Sequence, residues 1–233
     1  MVSRLMLAAV LLAAGILALA PARGAPDESG AAAVTGDTEQ EGRHDIAPAL
    51  EEIRAKRGVP ALAAAVISDG EFAGAAAVGV RKKGADAAVT AGDRFHIGSC
   101  TKAMTATLVQ ILVERKKLRW EMTLAEAFPS LAPRMHEAYR KVTLLQCAAH
   151  RSGMPGANQS WPKGMDFLGV HRLPGSPREQ RRAYVAKILE QAPAVEPGTE
   201  FLYSNAGYAV LGAACEAATD TPWRALMRRH LFE

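Results

Sequence analysis

One stretch constrains the chain more than any other: Phe95-His96-Ile97-Gly98-Ser99-Cys100-Thr101-Lys102, followed at once by Met104, Leu108, Val109, Ile111 and Leu112 at helical spacing. The spacing predicts a helix from Ser99 to about Lys117. Gly98 permits a tight turn into it. Ser99 and Lys102 are three residues apart, so both side chains fall on one helical face. A serine hydroxyl is a weak nucleophile at neutral pH and needs a base within hydrogen-bond reach. A lysine one turn along can be that base once burial lowers its affinity for a proton. The helix N-terminus adds backbone N–H groups where an oxyanion would develop. Taken alone, the pair reads equally well as an N-cap serine with a solvated first-turn lysine.

A bare S-x-x-K carries little information, since about one chance match is expected in a chain of this length. A second match, Ser160-Trp161-Pro162-Lys163, shows this directly. Pro162 removes a backbone donor and biases Trp161 away from α geometry, so nothing local fixes that spacing.

Composition bounds the class. The chain has 233 residues, 49% of them hydrophobic and 22% charged, enough for one large domain or two small ones. The segment 1–24 reads as a secretory signal peptide: Arg4, an apolar run from Leu5 to Ala20, then small residues suited to cleavage after Ala22 or Gly24. The alternative is an uncleaved anchor, for which the apolar run is short. After cleavage no stable membrane span is expected. No Cys near the cleavage point indicates a lipid anchor. Cleavage removes Arg4 and Arg23 from a net charge of only +4, so the basic pI of about 9.1 is weak evidence for an anionic partner. No basic stripe with interleaved aromatics points to nucleic acid. Cys100, Cys147 and Cys215 are odd in number and lie in apolar or helical surroundings, which reads as small buried hydrophobes, not a disulfide framework. The six His residues have no metal-binding spacing, and phosphate-cradling and dinucleotide motifs are missing, so no cofactor is expected.

Residues 25–43 are Ala, Gly, Asp, Glu, Thr and Gln, a solvated linker without the apolar content for a core. A helix is predicted from about Ile46 to Lys56, ended by Gly58 and Pro60. Ala61–Ser68 and Glu71–Val80 flank Asp69-Gly70, the pair preferred in a type I′ turn, and so read as a β-hairpin despite their alanine content. Arg81–Gly92 is a loop or weak third strand. Helices are predicted at Thr123–Phe128, Val142–His150, Arg178–Gln191 and Asn205–Ala218. Met154–Pro177 is a long Pro- and Gly-rich loop. A last helix is predicted after Thr221-Pro222, with Thr221 as its N-cap.

Tyr203-Ser204-Asn205 follows the Glu196-Pro197-Gly198 turn and is the chain's single Y-x-N. A tyrosine near a Ser/Lys pair can relay a proton, and an asparagine can hold both the lysine and a substrate amide. Alone, the tripeptide reads more simply as a packed tyrosine with Asn205 capping a helix.

Taken together the motifs carry a resemblance. Phe95-x-Ile97-Gly98-Ser99-x-Thr101-Lys102, then Leu144-Leu145 with His150-x-Ser152-Gly153-Met154-Pro155, then Glu196-Pro197-Gly198-x-x-Phe201-x-Tyr203-Ser204-Asn205-x-Gly207-Tyr208, occur in this order. Over about residues 45–233 the chain resembles the serine β-lactamase and penicillin-binding superfamily, in particular the branch of class C β-lactamases, D-alanyl-D-alanine carboxypeptidases and related esterases. The resemblance implies an α+β fold, with an antiparallel sheet flanked by helices and an all-helical lobe. Its domain would span 44–233, with 44–98 in the α/β lobe and 99–233 mostly helical. It implies Ser99 as acylated nucleophile, Lys102 as its activator, Tyr203 as proton shuttle and Asn205 as the residue orienting Lys102 and the substrate. The Ser99 N–H would supply half of an oxyanion hole, and His150, Ser152 and Gly153 would be structural. The family's third motif, K-T-G or H-T-G, would lie on a later strand beyond residue 233, so the sheet is expected to be incomplete because the chain ends early. The implied function is a secreted or periplasmic serine hydrolase or acyltransferase acting on a β-lactam, a D-Ala-D-Ala or peptidoglycan-like peptide, or a small ester. The alternative is a truncated, non-catalytic member that binds a ligand or partner, or an inactive remnant.

Overall fold

The structure, a computed structural model, describes residues 45–156 and 173–233. The expected signal peptide and linker, the Ser160–Lys163 pair and most of the 154–177 loop lie outside the described residues. Those described form two compact units that meet in sequence between Arg94 and Phe95.

The first unit is a helix on a hairpin. Helix α1 (Ala47–Arg57) starts with Pro48 in its first turn and stops at Gly58, whose φ of 63° is the left-handed geometry glycine adopts without penalty. Strands β1 (Ala61–Ser68) and β2 (Glu71–Gly79) pair antiparallel as the Asp69-Gly70 pair predicts. Asp69 and Gly70 have φ of 52° and 85°, both positive as a type I′ turn requires. Ser68 pairs with Glu71, but Val66 pairs with Gly74 and Ile67 with Phe72, so the register shifts by one residue near the tip. Val66, Ile67 and Phe72 are exposed there. The stretch after β2 makes a single antiparallel bridge, Val80 to Ala88, in place of a third strand.

The second unit is helical and is organised around α7 (Asn205–Thr219). Its sequence is rich in Ala and Gly, and nine of its residues from Ala206 to Glu216 are buried. Small side chains let neighbours approach closely. A Cβ at Gly207 would lie 3.1 Å from the Cys147 carbonyl, and one at Gly212 would lie 3.3 Å from Arg181. Around it pack α2 (Cys100–Glu114), α3 (Leu124–Ala127), α5 (Leu144–Ala148), α6 (Pro177–Leu189) and α8 (Trp223–Met227). Leu108, Val109 and Leu112 of α2 join Val210, Leu211 and Ala214 of α7 in one core with Leu124, Leu144, Val185 and Ile188.

Capping explains where the short helices begin. Thr123 with Glu126, and Thr143 with Gln146, each form a reciprocal capping box, and the two N-caps pair through a β-bridge. Leu124 and Leu144, each the residue after its bridging N-cap, are fully buried in the same core. Ser176 and Glu179 form a third box at α6.

Two expectations need correction, and one element was not foreseen. Helix α2 ends at Glu114, short of Lys117, because Lys116 turns left-handed (φ 57°) and its N–H and that of Lys117 bond back to the Val113 and Leu112 carbonyls. A four-residue helix, α4 (Glu137–Arg140), has no counterpart among the expected elements. Thr221 does not cap α8. Its hydroxyl donates to the Thr219 carbonyl, and the N-terminal Trp223 N–H donates instead to the buried Glu216 carboxylate, 2.8 Å away on α7. A π-helical turn, Arg228–Phe232, follows α8.

Candidate active site

Gly98, at φ 51°, turns the chain so that Ser99 stands at the N-cap of α2. The Ser99 side chain makes no capping bond. Its Oγ instead accepts from Lys102 Nζ at 3.1 Å and sits 2.8 Å from the Tyr203 hydroxyl. Lys102 Nζ also donates to Asn205 Oδ1 at 2.7 Å, and lies 4.9 Å from the Tyr203 ring centroid and 5.6 Å from that of Tyr208. The four residues singled out from sequence thus form one hydrogen-bonded cluster, built from two segments more than a hundred residues apart. Ser99 is exposed and Tyr203 is 40% exposed, so the cluster faces solvent.

Helix α2 delivers the Ser/Lys pair by its period alone. The other half of the cluster needs more support. Asn205 is the first residue of α7, but it does not cap that helix. Ser204 does: its Oγ accepts from Gly207 N–H at 3.4 Å and donates to the Pro155 carbonyl at 2.7 Å. Capping by Ser204 leaves the Asn205 side chain free for Lys102. The segment 194–204 is stitched to the turn at 150–155. Leu202 N–H donates to the His150 carbonyl, Gly198 N–H to the Arg151 carbonyl and Ala194 N–H to the Gly153 carbonyl, each at 2.8 Å. Arg151 Nη2 reaches the Gly198 and Thr199 carbonyls at 2.7 and 3.2 Å. Gly153 has φ 73°, and a Cβ there would strike the Val195 carbonyl at 2.3 Å, so the close approach needs glycine.

His150 sits beneath the cluster. Its ring stacks on Tyr203, with centroids 4.4 Å apart and planes 30° from parallel, and Nδ1 accepts the Ser204 N–H at 3.1 Å. Tyr208 is tilted against the same ring at 5.2 Å and anchors its own hydroxyl on the Ala148 carbonyl at 3.0 Å. The sequence motifs contain His150, Ser204 and Tyr208, with His150 taken as structural, but assign no role to Ser204 or Tyr208. The usable signal was a serine just before the apolar run of α7, the ordinary N-cap position.

Electrostatics favour proton traffic at Tyr203. Partial burial would raise its phenol, but hydrogen bonds to Lys102 and Ser99 and the charge of Lys102 together hold it below its ordinary value of 10. Burial, and secondarily Lys102, push His150 below 6.5. Burial pushes the Cys147 and Cys215 thiols up to about 12, in keeping with inert core cysteines. Cys100 is half-buried. Among the described residues no three His, Cys, Asp or Glu side chains come together as a metal site. A cavity of about 360 Å³ opens elsewhere in the helical unit, between Phe128-Pro129, Arg182, Val185 and Glu216, and contains none of the clustered residues.

Hairpin, helical unit and Ser/Lys/Tyr/Asn cluster together define a protein of the serine β-lactamase and penicillin-binding superfamily, with the β-lactamase/transpeptidase-like fold. A model of the beta-lactamase family matches residues 46–233, and the chain belongs to that family. Penicillin-binding protein 4 of Amycolatopsis lactamdurans is 31% identical over 184 residues, which cover 78% of this chain and 45% of that protein. Among solved structures, the octameric penicillin-binding protein homologue from Pyrococcus abyssi matches at 26% identity and TM-score 0.62, over 81% of this chain and 42% of the other. D-alanine carboxypeptidase AmpC from Burkholderia cenocepacia matches at 26% and TM-score 0.57, over 78% and 45%. The chain spans less than half the length of the curated relatives it matches.

Proposed function

We propose that this chain carries the nucleophilic site of an extracytoplasmic serine hydrolase or acyltransferase that cleaves an amide or ester through an acyl-Ser99 intermediate. The supporting observation is that Ser99 Oγ is held at once by Lys102 Nζ and the Tyr203 hydroxyl, at 3.1 and 2.8 Å. Of two hydroxyls in contact either can donate, so the Ser99 proton has a path to Tyr203 whenever the phenol is ionised. Lys102, with one hydrogen on Asn205 and one on Ser99, favours that ionised form. Ser99 Oγ then bonds to the substrate carbonyl carbon while its proton moves to the Tyr203 oxygen. The tetrahedral oxyanion collapses, the C–N or C–O bond breaks, and the leaving group takes the proton from Tyr203. Water, losing a proton along the same path, attacks the acyl carbon and releases Ser99 with a carboxylic acid. An acceptor other than water would give acyl transfer.

The substrate is a β-lactam, a D-Ala-D-Ala or peptidoglycan-like peptide, or a small ester. Support comes from what the relatives are: a penicillin-binding protein and a D-alanine carboxypeptidase. Export is supported by the apolar, small-residue N-terminal segment. Intact-mass measurement of the purified chain with benzylpenicillin tests the reading, with Ser99→Ala in parallel. One acyl adduct on the unsubstituted chain and none on S99A is expected. An adduct or turnover that persists in S99A would overturn it. The rate at which the adduct disappears separates a lactamase from a penicillin-binding protein.

A further inference from the structure

The motif His150-x-Ser152-Gly153 is not used by the chemistry above, yet its histidine contacts the proton-relay residue Tyr203 and both of its neighbours in sequence. The His150 carbonyl accepts from Leu202 N–H at 2.8 Å, its Nδ1 accepts from Ser204 N–H at 3.1 Å, and its ring lies 4.4 Å from that of Tyr203 between them. A backbone N–H can only donate, so Nδ1 must present a lone pair and the ring proton must sit on Nε2. The residue is 9% exposed and holds φ at 56°, a conformation that β-carbon-bearing residues rarely adopt. That backbone turn is what aims carbonyl and ring at the same neighbour.

We propose that His150 is a positioning residue that acts through Tyr203: as the neutral, Nε2-protonated imidazole it fixes the phenol over Ser99 Oγ. The proposal rests on the reading of Ser99 as the acylated nucleophile and extends it to the support of the relay. Every titratable group around the ring is consistent with the neutral form. Lys102 of α2 places positive charge nearby, Tyr203 and Tyr208 offer ring faces, Cys147 of α5 is an inert thiol, and Arg151 points its guanidinium to the 198–199 carbonyls. Among the described residues no carboxylate acts on the ring to favour an imidazolium. The lowered basicity of His150 agrees with this.

A double-mutant cycle on Ser99 acylation tests the mechanism. Asparagine tolerates positive φ and keeps an acceptor but removes the ring face, so His150→Asn is the main variant. His150→Phe keeps a face and removes the acceptor. Acylation by benzylpenicillin and by p-nitrophenyl acetate is followed as adduct mass in the unsubstituted chain, H150N, Y203F and the double variant, with thermal unfolding as a check on folding. H150N is expected to slow acylation at least tenfold at unchanged apparent affinity, and to change it less than twofold in the Y203F background. An equal loss in both backgrounds, or none in either, would overturn the proposal. Histidine nitrogen NMR of the unsubstituted chain covers the case in which the variants fail to fold or no donor acylates Ser99. An unprotonated Nδ1 with a protonated Nε2 at pH 7 is expected. An Nδ1–H tautomer or an imidazolium at that pH would refute the positioning role. Labelling of S99A would instead defeat the reading of Ser99, and leaves the NMR result to decide for His150.

Discussion

Ser204→Ala isolates one support of the cluster without touching any residue assigned to the chemistry. The serine is 1% exposed. Its Oγ donates to the buried Pro155 carbonyl at 2.7 Å and accepts from Gly207 N–H at 3.4 Å. The first bond is buried and of ordinary length, so leaving that carbonyl unpaired costs about 1–3 kcal/mol. The second is long for a cap, and its loss adds about 0.5 kcal/mol. Removing one oxygen opens little volume. The total is about 1.5–3.5 kcal/mol. Ser176→Ala is the matched control: it removes the N-cap of α6, where Oγ accepts from Glu179 N–H at 3.3 Å on an exposed residue. Water can replace that bond, so the loss is about 0.5–1 kcal/mol. Urea unfolding followed by circular dichroism measures both. Because Tyr203 and Asn205 flank Ser204, acylation of Ser99 by benzylpenicillin should slow in S204A and stay unchanged in S176A. A stability loss in S204A no greater than in S176A would refute the claim that a buried side-chain bridge, beyond ordinary capping, holds the Y-x-N segment.

Glu216→Ala should be among the most destabilising single changes in the helical unit. It strands the largely buried Arg181 guanidinium and uncaps Trp223, at about 3–5 kcal/mol for an orphaned charge, whereas Glu216→Gln keeps the acceptor and volume and should cost less than half as much in thermal unfolding; equal losses would refute the charge argument. Gly153→Ala meets the Val195 carbonyl at 2.3 Å as well as backbone strain, while Gly58→Ala, also at positive φ, meets nothing within 4 Å. G58A should cost about 1–2 kcal/mol and G153A clearly more by the same assay, and a reversal of that order would count against the packing argument. Because the folded His150 binds a proton more weakly than the unfolded chain, its stability contribution is complete above pH 6.5 and falls as pH drops below that value toward the lowered folded pKa. The slope for one proton cannot exceed about 1.4 kcal/mol per pH unit, and H150N should remove the His150 share, leaving only that of the partly exposed His230, which burial and the nearby Arg115 and Arg229 also hold below 6.5. Asp93, Glu126 and Glu179, shifted below 3.8, 4.5 and 4.5, act only in more acid solution. A Tm independent of pH between 6.5 and 5 in the unsubstituted chain would refute the His150 assignment.

Local rules were enough wherever a feature is made by neighbours in sequence. The hairpin follows from Asp69-Gly70, which take the two positive φ angles the turn demands. The Ser99–Lys102 contact follows from helical period. The Tyr203–Ser99 contact follows from neither, because it depends on how α2 packs on α7, and only the joint occurrence of several motifs pointed to it. Sequence reading failed where a distant group replaced a local one. Thr221 looks like an N-cap, but the Glu216 carboxylate takes its place from α7. Asn205 is a different case: the rival reading as a cap is the one that fails, because its neighbour Ser204 performs that task and leaves Asn205 to Lys102. Helix α4 is four residues long, too short for any period to register.

The cluster joins residues of very different sequence separation, and this orders events as the chain folds. Ser99 and Lys102 meet as soon as α2 forms, on the microsecond scale of helix growth. Tyr203 reaches Ser99, and Asn205 reaches Lys102, only after loops of 104 and 103 residues close. Closure of loops that long waits on the docking of α7, and contacts of high sequence separation form slowly. During refolding the helix signal should therefore rise first and the capacity of Ser99 to be acylated should appear later. A covalent label on that serine would time the docking of two helices, not the formation of either.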